Sequence, residues 1–373
     1  MCGISGLIHF NEIDKTQIDA VIKMNQSIEH RGPDADGIFS DQSIVLAHRR
    51  LSIIDISAGS NQPMIDDSGE IVLVFNGEIY NHKELRSELE VEYKFKTDHS
   101  DTETIIYAYK KWGISCVEKF VGMFAFTIYD KIKGSVFLCR DRLGKKPLYY
   151  TKTDKGLYFC SESSGLFATG YVEKKINAEA IYDYLSFLTV EAPNTFFENV
   201  YKIPAGHYME ITSQGTKLNK YWDIAEYLNI NCKDSMNEVI SNTKSLLDKS
   251  MEYRNVSDVP IAVALSGGLD SSLNLAYTNN IAQTKLVAIN VSYVDKSQFD
   301  ESDIAKQFSE ELGVKFVSVC IDQQDYEKWI LEYFKAQKDM PIGDPNSPLL
   351  YGISKVAAQH GCKVLQVGEG GDE

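Results

Sequence analysis

A cysteine stands second in the chain, directly before an apolar run, and this limits what the first half can fold into. We expect removal of the initiator Met, because the next side chain is small, which would leave Cys2 with a free α-amine. An α-amine titrates near about 8 and a thiol near about 8.5, so one residue would carry both a nucleophile and a weak base. Residues 3–10 mix small and apolar side chains like a buried strand. We therefore predict that a strand fixes Cys2 at its end, as a terminal nucleophile requires.

Length and charge narrow the class of protein. A chain of 373 residues predicts two domains, and a net charge of −15 argues against nucleic-acid or anionic-membrane surfaces. The seven cysteines are widely spaced without a C-x-x-C pair, which indicates neither a disulfide framework nor a zinc site. No apolar stretch approaches the roughly 20 residues of a membrane span. We expect a cytoplasmic protein that binds small molecules, without nucleic-acid or membrane partners.

The first half alternates helix and strand signals. Helices are predicted near residues 16–29, 104–112 and 178–187, and strands near 43–47, 52–55, 70–75 and 206–211. Dense Val, Ile and Leu favour a sheet covered on both faces. Residues 213–232 are polar without a sustained period, which predicts a linker.

Three short stretches carry residue types that a glutamine site would need. Arg50 could clamp an α-carboxylate, Asn76 and Gly77 could form an oxyanion hole, and Glu78 and Asp101 could bind an α-ammonium. Each has a structural alternative. Asn-Gly is a common hairpin turn, and residues 100–103 have the pattern of a helix capping box.

Together these stretches resemble the class II glutamine amidotransferase domain. The resemblance implies an N-terminal-nucleophile fold of two antiparallel sheets between helix layers, an αββα sandwich. It further implies that Cys2 attacks a glutamine amide to release ammonia, with Asn76 and Gly77 holding the oxyanion. The glutamine-binding residues would be Arg50, Ile53, Glu78 and Asp101. The resemblance rests on residues 2–4, 31–34, 48–55, 76–81, 100–103, 122–126 and 140–150.

The second half changes to alternating apolar strands and helices, which predicts an α/β domain with a doubly wound parallel sheet. Strands are predicted at 259–265, 285–293, 314–321 and 363–367, with helices at 273–282, 301–312, 326–335 and 346–360. The sequence Ser-Gly-Gly-Leu-Asp-Ser-Ser at 266–272 follows the first strand. Two glycines and the N–H groups of the next helix make it a candidate phosphate cradle, the alternative being an ordinary Gly-Gly turn.

Residues 266–272 resemble the ATP-pyrophosphatase signature of adenylating synthetases, and 299–302, 344–347 and 368–373 also match. This order after a glutaminase domain resembles the glutamine-hydrolysing asparagine synthetase family. The resemblance implies ATP and Mg²⁺ as cofactors, with Asp270 and Asp372 as metal ligands and Glu369 as the base for ammonia attack. The ATP-binding residues would be Leu265, Ser266, Gly267, Gly268, Asp270, Ser271, Ser272, Ile289, Val291 and Gly368.

The sequence departs from this pattern in one position, since Val367 stands where a Ser usually precedes Gly-Glu-Gly. Relatives continue past the last motif with a phosphate-binding Lys and part of the acceptor site, so we expect the full-length protein to extend beyond Glu373. The predicted domains are a glutaminase domain over residues 1–212, a linker over 213–232 and a synthetase domain over 233–373. The resemblance also suggests a homodimer.

Three functions remain open at this point. The first is an ATP-dependent amide ligase that makes asparagine from aspartate. The second is an enzyme of the same type that amidates another carboxylate, such as a sugar uronic acid. The third is a glutaminase joined to a nucleotide-binding half that synthesises nothing. A sugar-phosphate amidotransferase would share the Cys2 half, but residues 266–272 argue against it.

Overall fold

The computed structural model describes residues 1–228, 233–295, 300–341 and 343–368. The chain divides into two compact units, which are described in turn. Unit 1 comprises Met1–Ile230 with Lys338–Pro341, and unit 2 comprises Asn231–Gln337 with Ile342–Glu373.

Unit 1 is built from two antiparallel sheets. Among the described residues, one sheet has the strand order β10-β8-β9-β1-β3-β2 and the other β12-β11-β7-β6-β5-β4. Its strands are β1 (Gly3–Ile8), β2 (Ala35–Ser40), β3 (Ile44–Arg50), β4 (Met64–Ile65), β5 (Ile71–Ile79), β6 (Gly122–Asp130), β7 (Ser135–Arg140), β8 (Tyr149–Thr153), β9 (Gly156–Cys160), β10 (Tyr201–Lys202), β11 (His207–Thr212) and β12 (Gly215–Lys220). Its helices are α1 (Lys15–Ser27), α2 (His82–Leu89), α3 (Asp101–Trp112), α4 (Ser163–Ala168) and α5 (Ala178–Phe187).

Three apolar cores stack these elements into four layers. The middle core joins the sheets, with Ile4 and Phe159 of one facing Val74 and Leu138 of the other. A second core packs α2 and α3 on the sheet of β5, and a third packs α1, α4 and α5 on the sheet of β1. Buried apolar surface on both faces of each sheet explains why its strands are nearly continuous in apolar residues. The predicted αββα sandwich is confirmed.

Strand β1 lies inside its sheet, paired antiparallel to β3 on one side and β9 on the other. Every residue of β1 is buried. Cys2 immediately precedes this strand, so the start of the chain is fixed as predicted.

Unit 2 carries a parallel sheet of order β15-β14-β13-β16 among its described residues. Its strands are β13 (Ile261–Ala264), β14 (Leu286–Tyr293), β15 (Lys315–Ile321) and β16 (Val364–Gln366), and its helices are α6 (Met236–Arg254), α7 (Leu269–Ile281), α8 (Ser302–Glu311), α9 (Gln323–Ala336) and α10 (Ser347–Gln359). Helices α7 and α8 pack on one face of the sheet and α10 on the other. The doubly wound parallel sheet is confirmed.

Several local predictions differ from the structure. Residues 52–55 form no strand, because the extended chain ends with β3 and turns away after it. Strand β12 lies within residues 213–232, where a linker is predicted, and helix α6 was not predicted at all. In the described part of the chain, no helix is long and apolar enough to cross a membrane.

Candidate active site

The residues predicted for glutamine chemistry converge in unit 1. They line a single cavity, although they come from the residue before β1, from β3, β5 and α3, and from the loop after β3. The predicted residues among those that line it are Cys2, Arg50, Ile53, Asn76, Gly77, Glu78 and Asp101.

The Cys2 side chain is held by backbone groups at the end of β3. The Leu51 N–H lies 3.3 Å from Sγ, and Sγ lies 3.6 Å from the Leu51 carbonyl. Arg31 donates from Nε to the Cys2 carbonyl at 2.9 Å and pairs with Glu162 at 3.0 Å. Burial raises the pKa of the Cys2 thiol, whereas it lowers the pKa of the Met1 amine to about 6. A neutral amine next to a protonated thiol is the state from which a base can remove the thiol proton.

Asn76 and Gly77 lie inside β5 and not in a hairpin turn. The Asn76 side chain is fully buried, and neither its Oδ1 nor its Nδ2 has a hydrogen-bond partner within the described ranges. Gly77 has φ +153°, and a Cβ there would lie 2.1 Å from the Met123 carbonyl oxygen. A free amide donor therefore faces the cavity beside a backbone that only glycine fits, which is the arrangement an oxyanion hole requires.

The strand before Asn76 is fixed on both sides. His48 Nε2 donates to the Phe75 carbonyl at 3.0 Å, and the Phe75 N–H donates to Gln62 Oε1 at 2.6 Å. Burial lowers the pKa of His48 to about 3, so the imidazole is neutral and acts as a structural donor. These contacts set the position of the Asn76 amide.

Two carboxyl groups face the same cavity. Burial raises the pKa of Glu78 to about 7 and that of Asp101 to about 6. Asp101 accepts the Ile79 N–H at 3.0 Å. The alternative capping box does not form, because Ser100 makes no side-chain cap bond and Glu103 accepts the Lys96 N–H at 2.8 Å instead. The two carboxyls are thus available to a cationic ligand, which would keep them ionised.

Arg50 uses guanidinium hydrogens to hold the loop after β3. Its NH1 donates to the Ser57 carbonyl and to Asn61 Oδ1, both at 2.7 Å, and NH2 donates to the Asp55 carbonyl. Arg50 lines the cavity, but these donors are already hydrogen-bonded to acceptors of the protein. Its predicted role as a carboxylate clamp stays a prediction, as does the contact predicted for Ile53.

Four polar residues of this cavity have no role predicted from the sequence, namely Ser60, Gln62, Thr102 and Lys146. Lys146 is only 5% exposed, although it belongs to a charged loop. In the sequence it is one of two adjacent lysines, and nothing local separates the buried lysine from the exposed one. Tertiary contacts of the loop decide which lysine enters the cavity.

A second cavity, of about 680 Å³, lies in unit 2 at the carboxyl ends of β13 and β14. Ligands bind at this edge in doubly wound sheets. The cavity also includes Asp300, Glu301, Ser302 and Asn346, from two of the matching motifs. The predicted nucleotide-binding residues that line it are Leu265, Ser266, Gly268, Asp270, Ser271, Ile289, Val291 and Gly368.

The loop before α7 is folded as a compact turn. Ser266 Oγ lies 2.9 Å from Ser271 Oγ and accepts the Gly268 N–H at 3.2 Å. Gly267 has φ +105°, and a Cβ there would lie 2.8 Å from Glu301. Gly267 and Ser272 support the turn without lining the cavity, and the Ser272 N–H donates to the Gly268 carbonyl at 3.1 Å. The turn leaves the first N–H groups of α7 at the cavity, as a phosphate site needs.

The predicted metal site is only partly described. Asp270 lines the cavity, whereas Asp372 and the predicted base Glu369 lie outside the described residues. Within the described ranges, no cluster of three or more His, Cys, Asp or Glu side chains could hold a metal. A carboxylate at the phosphate loop does fit a hard cation such as Mg²⁺ that is bound together with phosphates.

An αββα sandwich with a cysteine at the start of an inner strand defines the class of N-terminal-nucleophile amidohydrolases. Residues 1–222 match the family model of the glutamine amidotransferase domain, and residues 242–373 match that of asparagine synthase. The chain therefore belongs to the family of glutamine-hydrolysing asparagine synthetases.

Sequence similarity to several individual relatives extends over the whole chain. A Methanocaldococcus jannaschii protein assigned as a glutamine-hydrolysing asparagine synthetase is 35% identical over 100% of this chain and 75% of its own length. A Bacillus subtilis glutamine-hydrolysing asparagine synthetase is 34% identical over 100% of this chain and 58% of its own length. Amidase chry2 of Gibberella zeae is 32% identical over 100% of this chain and 59% of its own length. The chain thus spans less than two thirds of the length of the last two.

Proposed function

We propose that the full-length protein is a glutamine- and ATP-dependent amide ligase that makes asparagine from aspartate. The observation that supports it most is the cavity of unit 1, which the Cys2 thiol lines together with the buried Asn76 amide, whose polar atoms have no partner among the described residues. A buried amide without a partner costs about 1–3 kcal/mol, and a developing oxyanion would satisfy it.

In the proposed first half-reaction, the Cys2 sulfur attacks the amide carbon of glutamine. The thiol proton passes through the α-amine to the leaving nitrogen, which departs as ammonia. Asn76 and the Gly77 N–H hold the oxyanion, while Glu78 and Asp101 hold the α-ammonium. Water then hydrolyses the thioester and releases glutamate.

In the proposed second half-reaction, an acceptor carboxylate attacks the α-phosphorus of ATP, and pyrophosphate leaves. Ammonia then attacks the acyl carbon, loses a proton and displaces AMP. Activation is needed because ammonia does not displace an unactivated carboxylate oxygen. ATP would bind at the 266–272 turn, and Asp270 would hold Mg²⁺ together with Asp372.

The nucleotide products test this mechanism. The full-length protein, incubated with glutamine, aspartate and ATP, should release AMP and pyrophosphate in amounts equal to the asparagine formed, as measured by mass spectrometry. Release of ADP and phosphate would refute adenylation.

A second candidate is amidation of a carboxylate other than aspartate. It is favoured by the similarity to amidase chry2, which is nearly as high as that to the synthetases. Turnover with aspartate, measured against a panel of other amino acids and sugar uronic acids, decides between the two candidates. Aspartate turnover below that of another carboxylate would contradict the asparagine assignment.

A further inference from the structure

Lys146 carries a buried ammonium group that has no oxygen acceptor among the described residues. Its side chain lines the glutamine cavity and is 5% exposed. Within the described residues, its Nζ has one hydrogen-bond partner, the Met1 sulfur at 3.1 Å. A thioether is a weak acceptor, and buried lysines are normally paired with a carboxylate. Removal of Met1 would take this contact away and leave the ammonium facing the cavity.

The loop that carries Lys146 is fixed through its backbone. Asp141 accepts the Lys146 N–H at 2.9 Å, and Arg140 Nε donates to the Lys146 carbonyl at 2.8 Å. Asp141 also accepts the Lys145 N–H at 2.9 Å. These contacts do not involve the Lys146 side chain, so the loop does not need the ammonium for its own stability.

The charges around the ammonium belong to the glutamine site. Burial lowers the pKa of the Met1 amine and that of Lys146, and it raises the pKa of Glu78. The Lys146 charge adds to the lowering at the Met1 amine and opposes the rise at Glu78. Once Met1 is removed, the α-amine of Cys2 would lie in the same cavity as this charge. The groups that face the amine, the thiol and Glu78 from other elements are Arg31 after α1, Arg50 on β3 and Asp101 on α3. Arg31 acts on the amine in the same direction as Lys146, and Asp101 opposes Lys146 at Glu78.

We propose that Lys146 is a positioning residue of the glutaminase reaction: its buried ammonium lies in the cavity that Cys2 and Glu78 also line, where it favours a neutral α-amine and a charged Glu78 carboxylate. This inference rests on the proposed function of the same cavity. A neutral amine can accept the thiol proton, and a charged Glu78 can bind the α-ammonium of glutamine. Both effects extend glutamine hydrolysis toward lower pH.

The test compares Lys146→Met with Lys145→Met in the full-length protein. Both variants replace a lysine by an uncharged chain of similar length in one loop, but Lys145 is exposed. The measurement is kcat/KM for glutamine hydrolysis between pH 5 and 9. The acid limb is the part of the pH profile in which kcat/KM falls as the pH is lowered. In Lys146→Met, this limb should move up by about one pH unit, because the α-amine and Glu78 lose their protons less readily without the nearby positive charge. Lys145→Met should keep the wild-type profile.

Two further variants separate the outcomes. Lys146→Arg restores a charge and should return the limb toward its wild-type position. If Lys146→Met does not fold, Lys146→Gln replaces it in the same assay. An acid limb that stays at the wild-type pH in the uncharged variants, whatever their rate, would overturn the inference. Absence of Cys2-dependent hydrolysis in the wild-type enzyme would instead overturn the proposed function.

Discussion

Two buried asparagines differ in how their side-chain amides are used, one being left for a ligand and the other serving the fold. Asn76 is buried with both polar atoms unpartnered among the described residues. Asn81 is also buried, but its Nδ2 donates to the Lys119 carbonyl at 3.0 Å and its Oδ1 accepts the Val121 N–H at 2.9 Å. One amide is thus left for a ligand, and the other joins two loops.

Substitution of each asparagine by alanine should therefore have opposite effects. Asn76→Ala should lower kcat for glutamine hydrolysis by about 10²–10³-fold and change the free energy of unfolding by less than about 1 kcal/mol. Asn81→Ala should lower that free energy by about 1–3 kcal/mol and keep kcat. Steady-state kinetics and urea denaturation measure both quantities. Wild-type kcat in Asn76→Ala would exclude its role in the oxyanion hole.

The ionised Glu78 carboxylate should lower the free energy of unfolding of the protein at high pH. Its folded pKa of about 7 lies above the ordinary value of 4.5, so the folded protein binds the proton more tightly than the unfolded chain does. The free energy of unfolding attributable to Glu78 therefore falls as the pH rises from about 4.5 to about 7. Glu78→Gln should be more stable than wild type at pH 8, with the difference vanishing near pH 4.5. Urea denaturation at both pH values measures this.

The exposed Glu12→Gln serves as the control for that experiment, and it should follow the wild-type pH dependence. Equal slopes of stability against pH in wild type and Glu78→Gln would show that the carboxyl titrates normally.

Among the secondary-structure elements, pairing between strands determines conformations that the local sequence does not predict. The Asn-Gly pair of β5 favours a hairpin locally, but β6 pairs with the strand through both residues, with Asn76 opposite Ala125 and Gly77 opposite Phe124. Strand β12 is polar and is extended because β11 pairs with it. Helix α6 buries none of its residues, although Val239, Ile240, Leu246 and Leu247 recur at helical spacing and could have predicted it.

The residues predicted for the glutamine site stand in short motifs with distinct chemistry, and the structure places them around one cavity. Cys2, Asn76 and Asp101 could be named because their motifs together resemble a known domain, although Asn76 and Asp101 each had a structural alternative when taken alone; their roles stay predictions. Lys146 could not be named from the sequence. Arg140 and Asp141 position it through contacts to its backbone, and such contacts produce no recognisable pattern in the neighbouring sequence.

The turn before α7 gives a prediction at this scale. Gly267→Ala would place a Cβ 2.8 Å from Glu301 at φ +105°, so the turn must open. We expect KM for ATP to rise at least about tenfold, while glutamine hydrolysis remains. Gly313→Ala is the matched control, with φ +69° and no atom within 4 Å of its Cβ, and it should leave KM for ATP unchanged. Equal KM values in both variants would show that the turn does not bind ATP.

At the scale of the whole molecule, the chain holds two kinds of cavity in two units with separate cores. The cavity in unit 1 has a nucleophile, an amide and carboxyls, and the cavity in unit 2 has a glycine turn, serines and Asp270. In the proposed function, the first would release ammonia from glutamine and the second would bind a nucleotide. The proposed function requires nitrogen from the first site to reach a carboxylate activated at the second.

Nitrogen transfer from labelled glutamine tests that claim most directly. The full-length protein is incubated with [amide-¹⁵N]glutamine, ATP and its best acceptor, and the amide product is analysed by mass spectrometry. The wild type should form labelled amide with one AMP for each amide. Cys2→Ala should form none from glutamine, yet should still form labelled amide from ¹⁵N-ammonium. Labelled amide made from glutamine by Cys2→Ala, or glutamine consumed by the wild type without labelled amide, would contradict the account.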